Sequence, residues 1–216
     1  MKINKNKSKV MLFNTAKQRD FTPAVHIEDE AVEVVEQFKL LGVQITSDLR
    51  WNANTKYITT KAYQKLWMLR RLKANGANEC ELRDIYFKHV RSVLEYGAVV
   101  WHAALTQQNT TDIERVQKCA LSIILAKDYV NYENALKILK VEKLKIRRET
   151  LCMKFARDAY KSEKFSSWFV PSRKLRFTRS QPSKVKPVNT RTSRFRKSAL
   201  PHMTQLLNKS QPNGTP

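Results

Sequence analysis

The sequence is poor in glycine, cysteine and negative charge. Only four glycines occur among 216 residues and none are clustered, so no glycine-rich loop is available to cradle a phosphate with backbone amides. The three cysteines, Cys80, Cys119 and Cys152, are odd in number and far apart, which excludes a disulfide framework and a paired metal-ligand motif. Each reads as a small buried hydrophobe. His26, His89, His102 and His202 are equally scattered, and none stands at metal-ligand spacing from a cysteine. No apolar run approaches the roughly 18 residues of a membrane span. The opening MKINKNKSKV lacks the apolar stretch of a signal peptide. A soluble, intracellular chain, nuclear or cytoplasmic and without a membrane partner, is expected.

Most consequential is the absence of an Asp-Asp pair. Two-metal phosphoryl transfer needs converging carboxylates, and adjacent aspartates on a hairpin are their usual source. The one acidic cluster, Glu28, Asp29, Glu30, Glu33 and Glu36, falls in an expected turn and on a strand whose Val32 and Val34 would face inward. It reads as a solvated face rather than a metal site. There is no nucleophile elbow and no His-Glu zinc motif. No catalytic residue, bound metal or cofactor is expected of this chain.

What is abundant is positive charge: 41 Lys and Arg against 19 Asp and Glu, a net +22. That excess attracts polyanions, and RNA, an RNA–DNA hybrid or a DNA duplex is the expected partner.

The apolar pattern divides the chain in three. Over residues 1–50, strand-sized runs rich in Val and Ile (Val10 to Phe13, Ala24 to Ile27, Val32 to Val35, Phe38 to Ile45) predict a small antiparallel sheet, with Glu28 to Glu30 as a hairpin turn. Over residues 51–168 the period becomes helical. Tyr57, Ile58, Ala62, Leu66, Leu69 and Leu72 share one face of a first helix, leaving Lys56, Lys61, Lys65, Arg70 and Arg71 largely elsewhere. Asn52, Asn54 and Thr55 are candidates to cap it, and Asn75 and Gly76 end it. A second helix runs from about Glu79 to Trp101, with Gly97 interrupting it or admitting a close neighbour. For a third, Thr111 and Glu114 stand in the capping-box relation, ahead of Ile113, Val116, Ala120, Leu121, Ile124 and Leu125. A short helix, Tyr132 to Leu139, precedes a longer one from about Leu144 to Lys164 that buries Leu151, Cys152, Phe155 and Ala159.

Residues 169–216 differ abruptly. Pro171 to Pro216 holds six of the seven prolines, eleven Lys or Arg and no acid, a composition expected to form no core and to remain a disordered or loosely docked arm. Arg191, Arg194, Phe195, Arg196 and Lys197 mix cations for phosphates with an aromatic ring for a base. The fold class expected is therefore α+β, mainly α: a small antiparallel sheet, a helical bundle and a basic tail.

Two stretches carry a family resemblance. The first is Asn4-Lys5-Asn6-Lys7-Ser8-Lys9-Val10-Met11-Leu12-Phe13, followed by Phe38-Lys39-Leu40-Leu41-Gly42-Val43. The second runs through Leu69-Arg70-Arg71-Leu72, Tyr86, Val90 to Tyr96, Trp101, Glu114 to Leu121, Tyr132, Ala135, Leu136 and Leu144, then Arg147 to Glu149, Leu151, Cys152 and Phe155. Together they resemble the end of the palm and the thumb helices of LINE-type, non-LTR retrotransposon reverse transcriptases of the Jockey and CR1 kind. Thr190 to Asn208 resembles the terminal segment of their reading frames. The resemblance implies a palm edge with a primer-grip-like strand, a thumb that grips the template–primer duplex, and Lys39 and Gly42 near the primer terminus. The intact enzyme would be an Mg²⁺-dependent RNA-directed DNA polymerase with an upstream endonuclease. One departure is the acidic Glu28 to Glu30 turn, where the family usually has a glycine.

Three functions follow as expectations. The first is a truncated reverse transcriptase fragment that binds nucleic acid without polymerising. The second is a structural or protein-interaction module that associates through its exposed palm edge, and the third is the C-terminal part of a longer, active polymerase.

Overall fold

The structure, a computed structural model, describes residues 8–13, 24–27, 30–172 and 185–209. It is mainly helical, with two small antiparallel hairpins. Asn4 to Lys7 of the resemblance and Glu28 and Asp29 of the acidic cluster lie outside the described residues.

The first hairpin pairs β1 (His26–Ile27) with β2 (Glu30–Ala31), in register His26 with Ala31. Val10 forms a parallel bridge to Val34, and Lys9 pairs with Glu33. Val32 is half-buried but Val34 is 40% exposed, so the inward face expected of that run forms only in part. The run Phe38 to Ile45 is not one strand. It folds back on itself as β3 (Gln37–Leu40) and β4 (Val43–Thr46). The two-residue turn has Leu41 at φ 46° and Gly42 at φ 88°, the double positive φ of a type I′ turn.

Helix α1 (Asn52–Ala74) buries Ile58, Ala62, Leu66 and Leu69 on the predicted stripe. Its cap is Trp51, without a side-chain hydrogen bond. The expected capping residues are used otherwise: Asn54 Oδ1 accepts from the Gln44 amide at 3.1 Å, and Asn52 Oδ1 accepts from the Asn109 side chain at 2.9 Å. Asn75 and Gly76 close the helix as expected, with Gly76 at φ 85°.

The single helix expected from Glu79 to Trp101 is broken. Helix α2 (Glu79–Ile85) starts at a capping box formed by Asn78 and Glu81. It runs through a π-helical turn, Tyr86–Arg91, into α3 (Ser92–Glu95). Gly97, at φ 64°, then redirects the chain into α4 (Ala98–Trp101). A Cβ on Gly97 would lie 3.0 Å from Val43 Cγ2, and one on Gly42 would lie 2.9 Å from the Tyr96 ring. Both glycines therefore serve one junction, where the β3–β4 hairpin rests on the helix break. The Tyr96 hydroxyl donates to the Leu41 carbonyl there, at 2.8 Å.

Helix α5 (Gln107–Leu125) begins one turn earlier than Thr111 and Glu114 imply, because Thr106 caps it through the Asn109 amide. Asn52 meets Asn109 at one end, and Lys73 Nζ reaches the Ile124 carbonyl at the other. So α1 and α5 run parallel, with α2 to α4 returning between them. Their stripes join Leu82, Tyr86, Val90, Leu94 and Trp101 in the main core.

Glu114, expected to box its own helix, instead caps a helix 30 residues on. Its carboxylate accepts from the amides of Leu144 at 3.3 Å and Lys145 at 2.7 Å, the first residues of α7 (Leu144–Lys161). It also accepts from the Tyr132 hydroxyl at 2.6 Å, at the start of α6 (Tyr132–Ile138). A carboxylate at a helix N-terminus is favoured by its free amides and dipole. Glu114→Ala is expected to cost about 1–2 kcal/mol, and Glu114→Gln less; urea unfolding of both variants measures the difference. Helix α7 turns Cys152, Ala156 and Ala159 inward, but Phe155 is 36% exposed and Leu151 only half-buried.

The largest correction concerns the C-terminal segment. Residues 185–209 are not a loosely docked arm, because the amphipathic α9 (Ala199–Lys209) packs on α7 and α4. Val185, Met203 and Leu207 join Ala156, Ala159 and Phe169 in a second core. Asn208 fixes Val185 from both sides, accepting from its amide at 2.9 Å and donating to its carbonyl at 3.0 Å. The average composition of the segment hid the apolar stripe Leu200, Met203, Leu206 and Leu207.

Candidate nucleic-acid interface

The docking of α9 decides where the C-terminal cations lie. Just before it, α8 (Ser193–Arg196) is capped by Thr192 and faces the residues that lead into α1. A cleft of about 550 Å³ separates them, lined by Leu49, Trp51, Val100, Arg194 and Phe195. It continues past Arg50 and Lys197 into a groove between α1 and α5 that holds Lys56, Tyr63 and Arg115. At the other end Arg191 and Phe195 border a further depression.

Six cations therefore line one connected surface: Arg50, Lys56, Arg115, Arg191, Arg194 and Lys197. Two carboxylates face them. Asp112 pairs with Arg115 at 3.0 Å and Asp48 with Arg50 at 3.4 Å. Burial raises the Asp48 pKa, but hydrogen bonds from Thr46 and the Arg50 amide, with the charges of Arg50 and Arg194, bring it below the usual carboxylate value. Among the described residues, Arg191, Arg194 and Lys197 form no ion pair. All three are exposed, and exposed cations outside an ion pair remain available to a polyanion.

The remaining predicted residues sit apart from this groove. Lys56 and Lys61 are five positions apart on α1, roughly 140° around its axis, so the five cations of that helix do not make one stripe. Lys61 joins Lys39 about Tyr57, with the two ammonium groups 5.0 and 4.9 Å from the ring centre. Hydrogen bonds from Lys39 and Lys61 hold the Tyr57 phenol below its usual pKa. Arg71 lies over Trp67 at 5.9 Å, and Arg70 is exposed, while Lys65 is half-buried. Arg196 turns toward Thr190, at 3.5 Å. Gly42 is accounted for by its turn and by the Tyr96 ring above it.

Arg50, Trp51 and Arg115 were missed by sequence reasoning. Arg50-Trp51 repeats the cation–aromatic pairing of Arg194-Phe195 and could have been noticed. Arg115 gave no signal, because Lys56 and Tyr63, which face it across the groove from α1, are more than 50 positions away.

Behind the groove a buried polar cluster ties α9 to the bundle. Arg148, fully buried, lies over the Trp101 ring at 5.8 Å, and its Nε donates to His102 Nδ1 at 3.4 Å. The His102 and His202 rings meet edge to face at 5.9 Å. Burial, then the charge of Arg148, pushes His102 from 6.5 down to about 4, and burial lowers His202 as well. Unfolded histidines take up protons at higher pH than these, so their contribution to stability is complete above about 6.5 and lost as pH falls toward 4. A loss of about 1–2 kcal/mol over that window is expected, allowing for the partial exposure of His102. Urea unfolding at pH 7 and pH 4.5 measures it, and His102→Gln should flatten the dependence more than His202→Gln.

Among the described residues no group of three or more His, Cys, Asp or Glu is placed to hold a metal, and no helix is long and apolar enough to cross a membrane. Fold and groove together define a mainly helical α+β protein with a basic, aromatic-bearing surface. Comparison with protein-family models, curated proteins and solved structures gave no match.

Proposed function

We propose that the chain is the terminal part of a LINE-type reverse transcriptase, comprising palm edge, thumb and C-terminal segment, and that on its own it binds nucleic acid without polymerising it. One observation carries the binding: C-terminal cations and the start of α1, far apart in sequence, converge on one groove with a clear excess of positive charge. The ordered motifs from Phe38 to Phe155 support the family, and the absence of an Asp-Asp pair supports the lack of polymerisation. Primer extension by the chain with Mg²⁺ is expected to give no incorporation.

The binding is tested by fluorescence anisotropy with labelled RNA–DNA hybrid and single-stranded RNA. Removing two phosphate contacts with Arg194→Ala and Lys197→Ala should weaken binding and reduce its salt slope by roughly one to two. A charge-matched control, Lys127→Ala with Lys137→Ala, removes exposed cations outside the groove. If control and groove variants weaken binding equally, the groove is not the interface.

A second reading rests on the β3–β4 hairpin, where Leu41 is 85% exposed and Leu40 51%. Adjacent exposed apolar side chains mark association surfaces. Size-exclusion chromatography at high salt separates the two readings: a monomer argues against self-association, and a dimer lost on Leu41→Lys supports it.

A further inference from the structure

The cleft between α8 and the entry to α1 has properties that phosphate contacts alone do not explain. Its volume of about 550 Å³ lies within the roughly 300–1,000 Å³ of small-molecule sites. Its walls are substantially apolar. Leu49, Val100 and Phe195 keep 38%, 49% and 43% of their surface exposed, beside Trp51. Leu49 reaches the cleft from a left-handed backbone conformation, φ 53°, which is uncommon for a residue other than glycine. Such conformations gather at binding sites, where the surrounding structure holds them. Here the Leu49 amide is tied to the Thr46 carbonyl at 2.8 Å. Cations border the apolar part: Arg191 beyond Phe195, and Arg50, Arg194 and Lys197 together where the cleft continues toward α1.

An apolar slot with an exposed aromatic wall, bordered by cations, matches a nucleotide whose base is free. The base supplies a flat apolar face and the adjoining phosphates supply the charge. A base inside a duplex is already stacked, and extracting it costs a few kcal/mol. An acidic peptide would satisfy the cations and leave the slot unfilled. Resting on the nucleic-acid reading above, we propose that this cleft takes an unpaired base of a single-stranded polynucleotide. Phe195 stacks on the base, while Arg194 and Lys197 hold the phosphates beside it. The groove thereby prefers a single strand, or the unpaired strand beside a duplex, to the duplex itself.

The test uses the full chain and three labelled probes with equal numbers of phosphates: a 12-nucleotide RNA, the same length of abasic strand, and a blunt duplex. Wild-type protein should bind the RNA about 5- to 150-fold more tightly than the abasic strand, the range of one stacked base. Phe195→Ala should abolish that difference and change duplex binding less than twofold, and Phe195→Trp should restore it. Phe195 is exposed, so its removal leaves the core intact, and the abasic comparison on the wild type needs no substitution. If RNA and abasic strand bind equally while Arg194→Ala weakens both, nucleic-acid binding stands and the base pocket is refuted. If no strand binds at low salt, the nucleic-acid reading fails and takes this inference with it. Binding of polyglutamate as tight as that of RNA would overturn the proposal in favour of an acidic polypeptide.

Discussion

Trp101→Ala is expected to lower the stability of the chain by about 3–5 kcal/mol, the range for deleting a large aromatic side chain from a packed core. The residue is fully buried, and its position makes it more than filler. Its indole N–H donates to the Tyr96 carbonyl at 3.0 Å, across the chain reversal at Gly97, and that carbonyl would lose its partner. Its ring also lies under Arg148, so a cavity there would leave a buried guanidinium without its apolar cover, which adds to the cost. Trp101→Phe keeps most of the apolar contact and loses the hydrogen bond, for a smaller cost of about 1–2 kcal/mol. Urea unfolding followed by circular dichroism measures both. A Trp101→Ala variant within about 1 kcal/mol of the wild type would show that α4 does not join the two cores.

The second large effect is on binding. Of the six groove cations, four lack a facing carboxylate if Asp48 and Asp112 each neutralise one, so four to six phosphates can be matched. With about 0.7 counterions released per phosphate of a single strand, affinity should fall roughly 50- to 300-fold between 50 and 200 mM salt. For a duplex, with about 0.9 released per phosphate, the fall is steeper, roughly 150- to 2,000-fold. Anisotropy titrations at four salt concentrations give the slope directly. A flat response would remove nucleic acid as the partner, since the groove cations are what draw a polyanion to this surface. A slope that implies well over six phosphates, above about 4 for a single strand or 5 for a duplex, would place Lys39, Lys61 and Lys65 in the interface as well, joining the two basic clusters around α1.

The two predictions draw on different links of the same chain of causes. Trp101 matters because packing at the α4 turn positions both α9 and the entry to α1. The salt response depends on the surface which that positioning creates. Loss of the His102–His202 contact in acid is therefore expected to weaken binding along with stability, because α9 is what holds α8 beside Trp51.

The amino-acid sequence by itself determined helices α1 and α5 and their buried faces. The stripes Ile58-Ala62-Leu66-Leu69 and Ile113-Val116-Ala120-Leu121-Ile124 are periodic at helical spacing, a property of the local chain. The stop at Asn75-Gly76 and the break at Gly97 were legible for the same reason, since backbone conformations open to glycine are set residue by residue. The net charge, and with it the class of partner to consider, needed no structure at all. Tertiary structure alone decided which distant groups meet. Glu114 caps α7 rather than its own helix, because helix packing brings Leu144 and Lys145 to it across 30 residues. Residues 185–209 join a core despite their prolines and cations, because α7 and α4 offer the stripe of α9 an apolar surface that the segment lacks alone. Arg194, Phe195 and Lys197 become part of a groove with Trp51 and Lys56 only through that docking. Periodicity and composition report what each segment can bury; which surface receives it depends on every other segment at once.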